Sequence, residues 1–378
     1  MSASESAFAA LPPVRPQCLV SVAIPARDER DFIVATVEAF FRQLGSDGRA
    51  FDPDAFEVIV FANDCTDDTG AQVRALARRR PQFAVHVVEA PLAPFASHVG
   101  YARRSAMNAA AARVQWASSR GIVATTDADT VVSPVWIAET IAELALVEAL
   151  GGRVVPAPLA ERSADGERRT YALEHRYRYA VVRLETLLDP VAHDPWPRHG
   201  NHQGASLALR VAAYRQVGGT PPLPVLEDLA LYKALLRADV SFRHSLRVRV
   251  TTSGRRTSRV EGGFAAQLHA IDAHVDGRAT YLVEHPAETI ALFEGRSALR
   301  RADPLAAGRA YGLTRDAVVR QIGKAATLGC AIEALEREAQ LAGRLRAYAR
   351  VPIDVAIRTL ESYAESLSSA ARPTRIKA

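Results

Sequence analysis

The chain is short of lysine: only Lys233, Lys324 and Lys377 occur among 47 basic residues, so nearly all positive charge is arginine. Arginine's planar fork grips oxyanions such as phosphate bidentately, where lysine offers a point charge. Against 42 acidic residues the surplus is only +5. That is too small for the dense basic stripe of a nucleic-acid binder, so no nucleic acid is expected. Codon bias also yields Arg- and Ala-rich chains, so the count alone selects no partner. Cysteine is scarce too. Cys18, Cys65 and Cys330 are odd in number and far apart, which excludes a disulfide framework or zinc knuckle and points to a reducing, cytoplasmic setting. No uninterrupted apolar run reaches the roughly 18 residues of a membrane span. Residues 1–17 lack a basic start and an apolar stretch and carry Pro12, Pro13 and Pro16. They read as a flexible N-terminal tail and not a signal peptide.

What is present is an ordinary folded composition, 48% apolar and 24% charged over 378 residues. Short β-branched runs (18–25, 56–62, 83–89, 121–126) alternate with helical patterns (31–44, 67–80, 103–118, 134–150). That alternation predicts βαβ units and a parallel sheet, with ligands at the carboxyl ends of its strands. Beyond Gly151 the rhythm changes: a strand at 153–158, a helix at 170–189, a Pro/His/Gly-rich loop to 204, and strands at 205–209 and 241–252. Past about 263 nearly everything has helical period. Leu328, Ile332, Leu335, Ala339, Ala342 and Leu345 draw one apolar stripe.

The strongest chemical signal is Thr126-Asp127-Ala128-Asp129-Thr130 after the run GIVATT. Two carboxylates at i and i+2 on a strand end can reach one hard divalent cation and leave positions for phosphate oxygens. The same triplet suits the nucleophile loop of haloacid-dehalogenase-like phosphatases. That loop usually follows the first strand, whereas three βα units precede this one. Two further strand ends are polar: Pro25-Ala26-Arg27-Asp28-Glu29 and Asn63-Asp64-Cys65-Thr66-Asp67-Asp68-Thr69. No G-x-G-x-x-G or Walker A loop follows either strand, which excludes dinucleotide and P-loop chemistry. Phosphate charge must then be met by metal and arginine. Arg103-Arg104 opens a helix, an anion-binding location, and Arg255-Arg256 and Arg259 follow the last strand.

The series VAIPARDE, VIVFANDCTDDT, GYARRSAMN, ATTDADT and GASLALR…VGG…LEDLAL resembles the family 2 glycosyltransferases of GT-A fold over about residues 18–260. The resemblance implies an α/β fold with a Rossmann-like, mostly parallel central sheet and a helical C-terminal region. The domains would be a tail (1–17), a GT-A domain (18–262) and the helical region (263–378). It implies a nucleotide-diphosphate-sugar donor and Mg²⁺ or Mn²⁺. Pro25, Ala26, Asp28, Glu29 and Asn63 would line the nucleoside pocket. Asp127 would face ribose or metal, Asp129 would be the main metal ligand, and Arg103, Arg104, Arg255 and Arg256 would meet the diphosphate.

Leu226-Glu227-Asp228-Leu229 opens a helix after Pro221, Pro222 and Pro224. Sugar transfer needs a base for the acceptor hydroxyl. Negative charge is favoured at a helix start, and in the resembled family the Asp of a Glu-Asp pair is the base of inverting members. This carries over to Asp228, with Glu227 beside it toward the acceptor. The loop HDPWPRHGNHQG would wall the acceptor site with Trp196, His199 and His202. Many GT-A enzymes add a histidine ligand after the last strands; here the stretch VRVTTSGRR has none. The Gln-x-x-Arg-Trp signature of processive synthases is also missing, so a single transfer, hexosyl in character, is expected. The alternatives are a non-catalytic nucleotide-sugar-binding protein held to partners or to its own copies by the helical region, and the phosphatase.

Overall fold

The structure, a computed structural model, describes residues 3–157, 165–253, 264–343, 345 and 348–370. They form two compact units. One comprises the described residues up to 157 with 201–236 and 240–253, the other 165–200, 237–239 and those from 264 onward. Residues 165–200, which the sequence reading assigned to the GT-A domain, thus pack with the helical part.

The first unit is built on one eight-stranded sheet. Its strands are β1 (Val20–Ala26), β2 (Phe56–Asn63), β3 (Ala84–Ala90), β4 (Ile122–Thr125), β5 (Thr130–Val132), β6 (Ala149–Pro156), β7 (Leu207–Arg210) and β8 (Phe242–Thr252). They are ordered β3-β2-β1-β4-β7-β6-β8-β5. The first four are parallel, with Val20 opposite both Phe56 and Ile122. β7 runs antiparallel to β4 and β6, β6 is parallel to β8, and β5 closes the far edge antiparallel to β8. This is the α/β, Rossmann-like arrangement expected. The chain moves outward from β1 to β2 and β3, then returns to β1's other side as β4. The carboxyl ends of β1 and β4 therefore flank the switch point where such sheets bind ligands.

The strand runs are legible because β1 and β2 are buried along their whole length, which selects continuous apolar sequence. Ile24, Ile33, Phe40, Trp136 and Ile137 share the main core, and Phe40 meets Trp136 edge to face at 6.0 Å. Three elements differ from expectation. The predicted helix 134–150 stops at Leu144, and Ala149 begins β6; alanine and leucine fit either period, so pattern alone merged the two. The three residues of β5, just after the acidic triplet, are too few to carry a strand signal. The N-terminal tail opens with a helix, Ala3–Ala9, whose Phe8 packs on Phe61 at 5.0 Å between ring centres.

The second unit is helical, as expected. Its main helices are Asp165–Leu188, Pro286–Arg300, Leu328–Leu341 and Ile353–Ala370. The anticipated stripe faces a core in which Leu335, Ala339 and Leu345 are buried with Tyr311 and Val318. Arginine-carboxylate pairs tie the unit internally: Arg198–Glu185, Arg296–Glu336 and Arg300–Asp189. Among the described residues no helix is long and apolar enough to cross a membrane.

One buried pair clamps the sheet to a helix. Glu57 on β2 accepts from Ser21 of β1 at 2.7 Å and from Arg113 at 2.9 and 2.7 Å. His86 of β3 lies 3.4 Å away. Burial by itself would raise the Glu57 pKa, but the hydrogen bonds from His86, Arg113 and Ser21 prevail and lower it to about 2. A carboxyl depressed on folding adds stability above its unfolded pKa and loses it as pH falls through the folded value. Glu57→Gln should therefore cost roughly 3 kcal/mol in urea unfolding at pH 7. The difference from the parent should shrink between about pH 4.5 and 2 and vanish below.

Candidate active site

The carboxyl ends of β1, β2 and β4 deliver the polar loops singled out in the sequence. After β1, Asp28 takes a left-handed backbone (φ 50°), and Asp64 does the same after β2. Aspartate tolerates that region because its carboxylate can satisfy nearby amides. Asp28 Oδ1 accepts from the Thr66 amide at 2.6 Å, and Asp64 Oδ1 accepts from the Leu92 amide at 3.0 Å. Ser97 donates to the other Asp64 oxygen, and Asn63 lies beside it at 3.3 Å. Partial burial opposes ionisation of Asp64, but the hydrogen bonds from Leu92, Ser97 and Asn63 lower its pKa. Pro25, Ala26, Glu29 and Asn63 are buried. The Glu29 amide donates to Thr69 at 2.8 Å, joining the two loops. Asp28, Cys65 and Asp67 converge here. Their hydrogen bonds to Thr66, Thr69 and Arg30 are those of loop crosslinks and helix starts.

The centre of the site is Arg103, on the helix Val99–Ala117. Its side chain is buried, and every guanidinium nitrogen donates to protein. Nε reaches Glu227 Oε1 at 3.0 Å, and Nη1 reaches Thr125 Oγ1 at 3.0 Å and the Gly204 carbonyl at 3.2 Å. Nη2 reaches Asp127 Oδ1 at 2.7 Å. Burial disfavours the charge, but Asp127, Glu227 and Asp228 outweigh it and raise the Arg103 pKa. Arg103, expected against a diphosphate, thus holds the site's own carboxylates. Arg104 donates to the Thr220 carbonyl at 2.7 Å.

Asp127 has the opposite balance. The surrounding protein raises its pKa, Arg103 opposes this, and the charges of Asp129 and Asp228 raise it further. Three carboxylates crowd one place, an arrangement that a divalent cation would relieve. Asp127 Oδ1 accepts from Arg103, and Oδ2 has no hydrogen-bond partner among the described residues. Asp129 accepts from the Ser253 hydroxyl, and its carbonyl accepts from the Ser253 amide at 3.0 Å. The histidine that the sequence reading looked for after the last strands is replaced at residue 253, just past the end of β8 at Thr252, by a serine bonded to Asp129. The acidic, hard-oxygen donor set suits Mg²⁺ or Mn²⁺.

Asp228 sits in the first turn of the helix Glu227–Arg237. Oδ2 accepts from the Gly204 amide at 2.9 Å and Oδ1 from the Leu229 amide at 2.7 Å. Gly204 thus serves both partners: its N–H donates to Asp228 and its carbonyl accepts from Arg103. A Cβ there would lie 2.5 Å from Arg103 Cζ, so only glycine allows the approach. Gly204, Thr125 and Asp64 carry no catalytic signature in sequence; the motif GASLALR contains the glycine but not its reason. His202 stacks on Tyr232, 4.4 Å between ring centres. Trp196 and His199 belong to the second unit, where Trp196 meets Tyr179 at 5.2 Å. Arg255, Arg256 and Arg259 lie outside the described residues.

Residues 21–155 match the family model of glycosyl transferase family 2. The matched stretch includes Asp28, Asn63, Arg103, Asp127 and Asp129, in agreement with the resemblance of the motifs. Glu227 and Asp228 lie beyond it. No curated protein matches the chain. Among solved structures it is similar to the mannosyltransferase PcManGT from Pyrobaculum calidifontis in complex with GDP-Man and Mn²⁺. The two share 17% identity at a TM-score of 0.45, with 97% of this chain and 91% of that one covered. It is also similar to S. aureus TarS 1-349 in complex with UDP, at 15% identity and TM-score 0.44, covering 92% and 91%.

An ammonium cannot serve acceptors spread around a guanidinium fork. Arg103→Lys should therefore lower unfolding free energy by about 3 kcal/mol, because buried carboxylates lose their partner. Equilibrium denaturation of the parent and variant measures this directly.

Proposed function

We propose that the protein is a single-transfer glycosyltransferase that moves a sugar from a nucleotide-diphosphate-sugar to an acceptor hydroxyl with inversion, in the cytoplasm. The observation that carries this reading is the Arg103 hub. One guanidinium fixes Asp127 of the Asp-x-Asp triplet and Glu227 of the Glu-Asp pair, and Gly204 links it to Asp228. A metal-side carboxylate and the proposed base are thus held by one shared set of bonds at the strand switch point, as transfer between a bound donor and a bound acceptor needs.

Asp127 and Asp129 would hold Mg²⁺ or Mn²⁺, which supplies charge neutralisation to the departing diphosphate. Asp28, Glu29 and Asn63 line the end of β1 and β2 where the nucleoside would lie. Asp228, oriented by two backbone amides, takes the proton from the acceptor hydroxyl as the new bond to the anomeric carbon forms. Glu227 is occupied by Arg103 and acts by position. The free thiols of Cys18, Cys65 and Cys330 agree with a reducing compartment.

Two measurements test the reading. A thermal-shift screen of nucleotide sugars with and without Mn²⁺ should find a donor that stabilises the protein only with metal. The gain is about 2.7 kcal/mol at a hundredfold excess over its dissociation constant, and Asp129→Asn should abolish it. With that donor, Asp228→Asn should slow transfer by roughly 10²–10⁴-fold while leaving donor binding nearly unchanged. Undiminished transfer in this variant removes Asp228 as the base. Phosphate trapped covalently on Asp127 would favour the phosphatase instead.

A further inference from the structure

The segment leading into Asp228 has a composition that the transfer chemistry does not explain. From Val217 to Leu226 the sequence VGGTPPLPVL carries no charge, and Pro222 to Leu226 are five consecutive exposed apolar residues. Leu223 is 42% exposed, Val225 37% and Leu226 52%. Such a run on a surface marks a contact site or an error of design.

This run is held rigidly. At its start the buried Thr220 receives Arg104 on its carbonyl at 2.7 Å and gives its amide to the Tyr214 hydroxyl at 3.2 Å. In its middle the Leu223 carbonyl abuts Gly100, where an added Cβ would come within 1.9 Å of it. At its end Glu227 is bonded to Arg103. Leu226 itself sits at φ 57°, a region that bulky side chains avoid at a cost of about 1 kcal/mol or more. A fixed and locally strained backbone that presents leucine and valine to solvent is a built surface.

We propose that residues 222–226 are the apolar half of the acceptor site, so that the acceptor is amphipathic. Its hydroxyl-bearing head meets Asp228, and an aliphatic body lies along Leu223, Val225 and Leu226. The occupant follows from continuity: Leu226 is two residues from the proposed base, Glu227 between them is turned to Arg103, and the exposed run from Pro222 to Leu226 that leads up to it carries no charge. The inference rests on the transferase reading of Asp228 and names the substrate class for that site.

The test uses the full chain and hexyl, heptyl and octyl β-glucoside below their micelle-forming concentrations, with methyl β-glucoside as reference. Binding is read by calorimetry without donor. Affinity should rise about fourfold per added methylene. Leu223→Ser/Leu226→Ser should flatten that dependence while leaving the unfolding temperature and nucleotide-sugar binding unchanged. Trp116→Ser, at a site 90% exposed at the far end of the helix Val99–Ala117, should leave it intact. A dependence that is flat in the parent, or equal in parent and double variant, overturns the proposal. Adsorption to phosphatidylcholine vesicles that the double variant loses, without chain-length-dependent binding of the monomeric glucosides, overturns it in favour of bilayer docking. Chain-length dependence that persists in a protein with no metal-dependent use of any nucleotide sugar upholds the apolar surface and overturns the transferase reading alone.

Discussion

One buried positive charge organises the loops at the carboxyl end of the sheet. A guanidinium withdrawn from water is tolerable only where its donors are met and its charge is balanced. Arg103 meets both conditions by drawing four acceptor residues from three stretches of chain: Thr125 at the end of β4 with Asp127 just beyond it, Gly204 before β7, and Glu227 at a helix start. None of the four can move without leaving a buried partner unmet. The loops that carry the site are therefore as fixed as the strands behind them, and Asp228, bonded to Gly204, inherits that rigidity.

The helix that carries Arg103 is itself anchored at its other end. Arg113 lies ten residues, nearly three turns, further along and clamps Glu57 against Ser21. The helix thus spans from a structural ion pair to the site, with both arginines bonded to residues on or just beyond the sheet strands. Close backbone approaches complete the fit, at Gly204 against the guanidinium and at Gly100 against Leu223. In both places the missing side chain is what allows the contact, so each glycine acts through the space it leaves.

Much of this was legible in the sequence, for physical reasons that also mark its limits. The parallel strands announced themselves because a strand buried on both faces must be continuously apolar. The acidic triplet and the Glu-Asp pair stood out because each falls at an element boundary, where polar residues are exposed to ligands. What escaped was of other kinds. β5 is too short to have a period. Phe8 looks like any apolar residue in a tail until Phe61 is beside it. Gly204 works through its backbone and the absence of a side chain. Above all, the role of Arg103 could not be read locally: an arginine in the first turns of a helix suits an anion, and only the folded chain shows that the anions it meets are its own.

This bears on the scarcity of lysine. A surplus of arginine looks at first like preparation for a phosphate-bearing partner. Yet Arg103, Arg113, Arg198 and Arg296 direct their forks at internal carboxylates. Arg103 alone engages two carboxylates, a hydroxyl and a carbonyl around one plane. A lysine ammonium could carry the same charge but not satisfy that geometry. Arginine here is therefore a crosslinking residue first, and the scarcity of lysine reflects the geometry of internal acceptors before it reflects any partner.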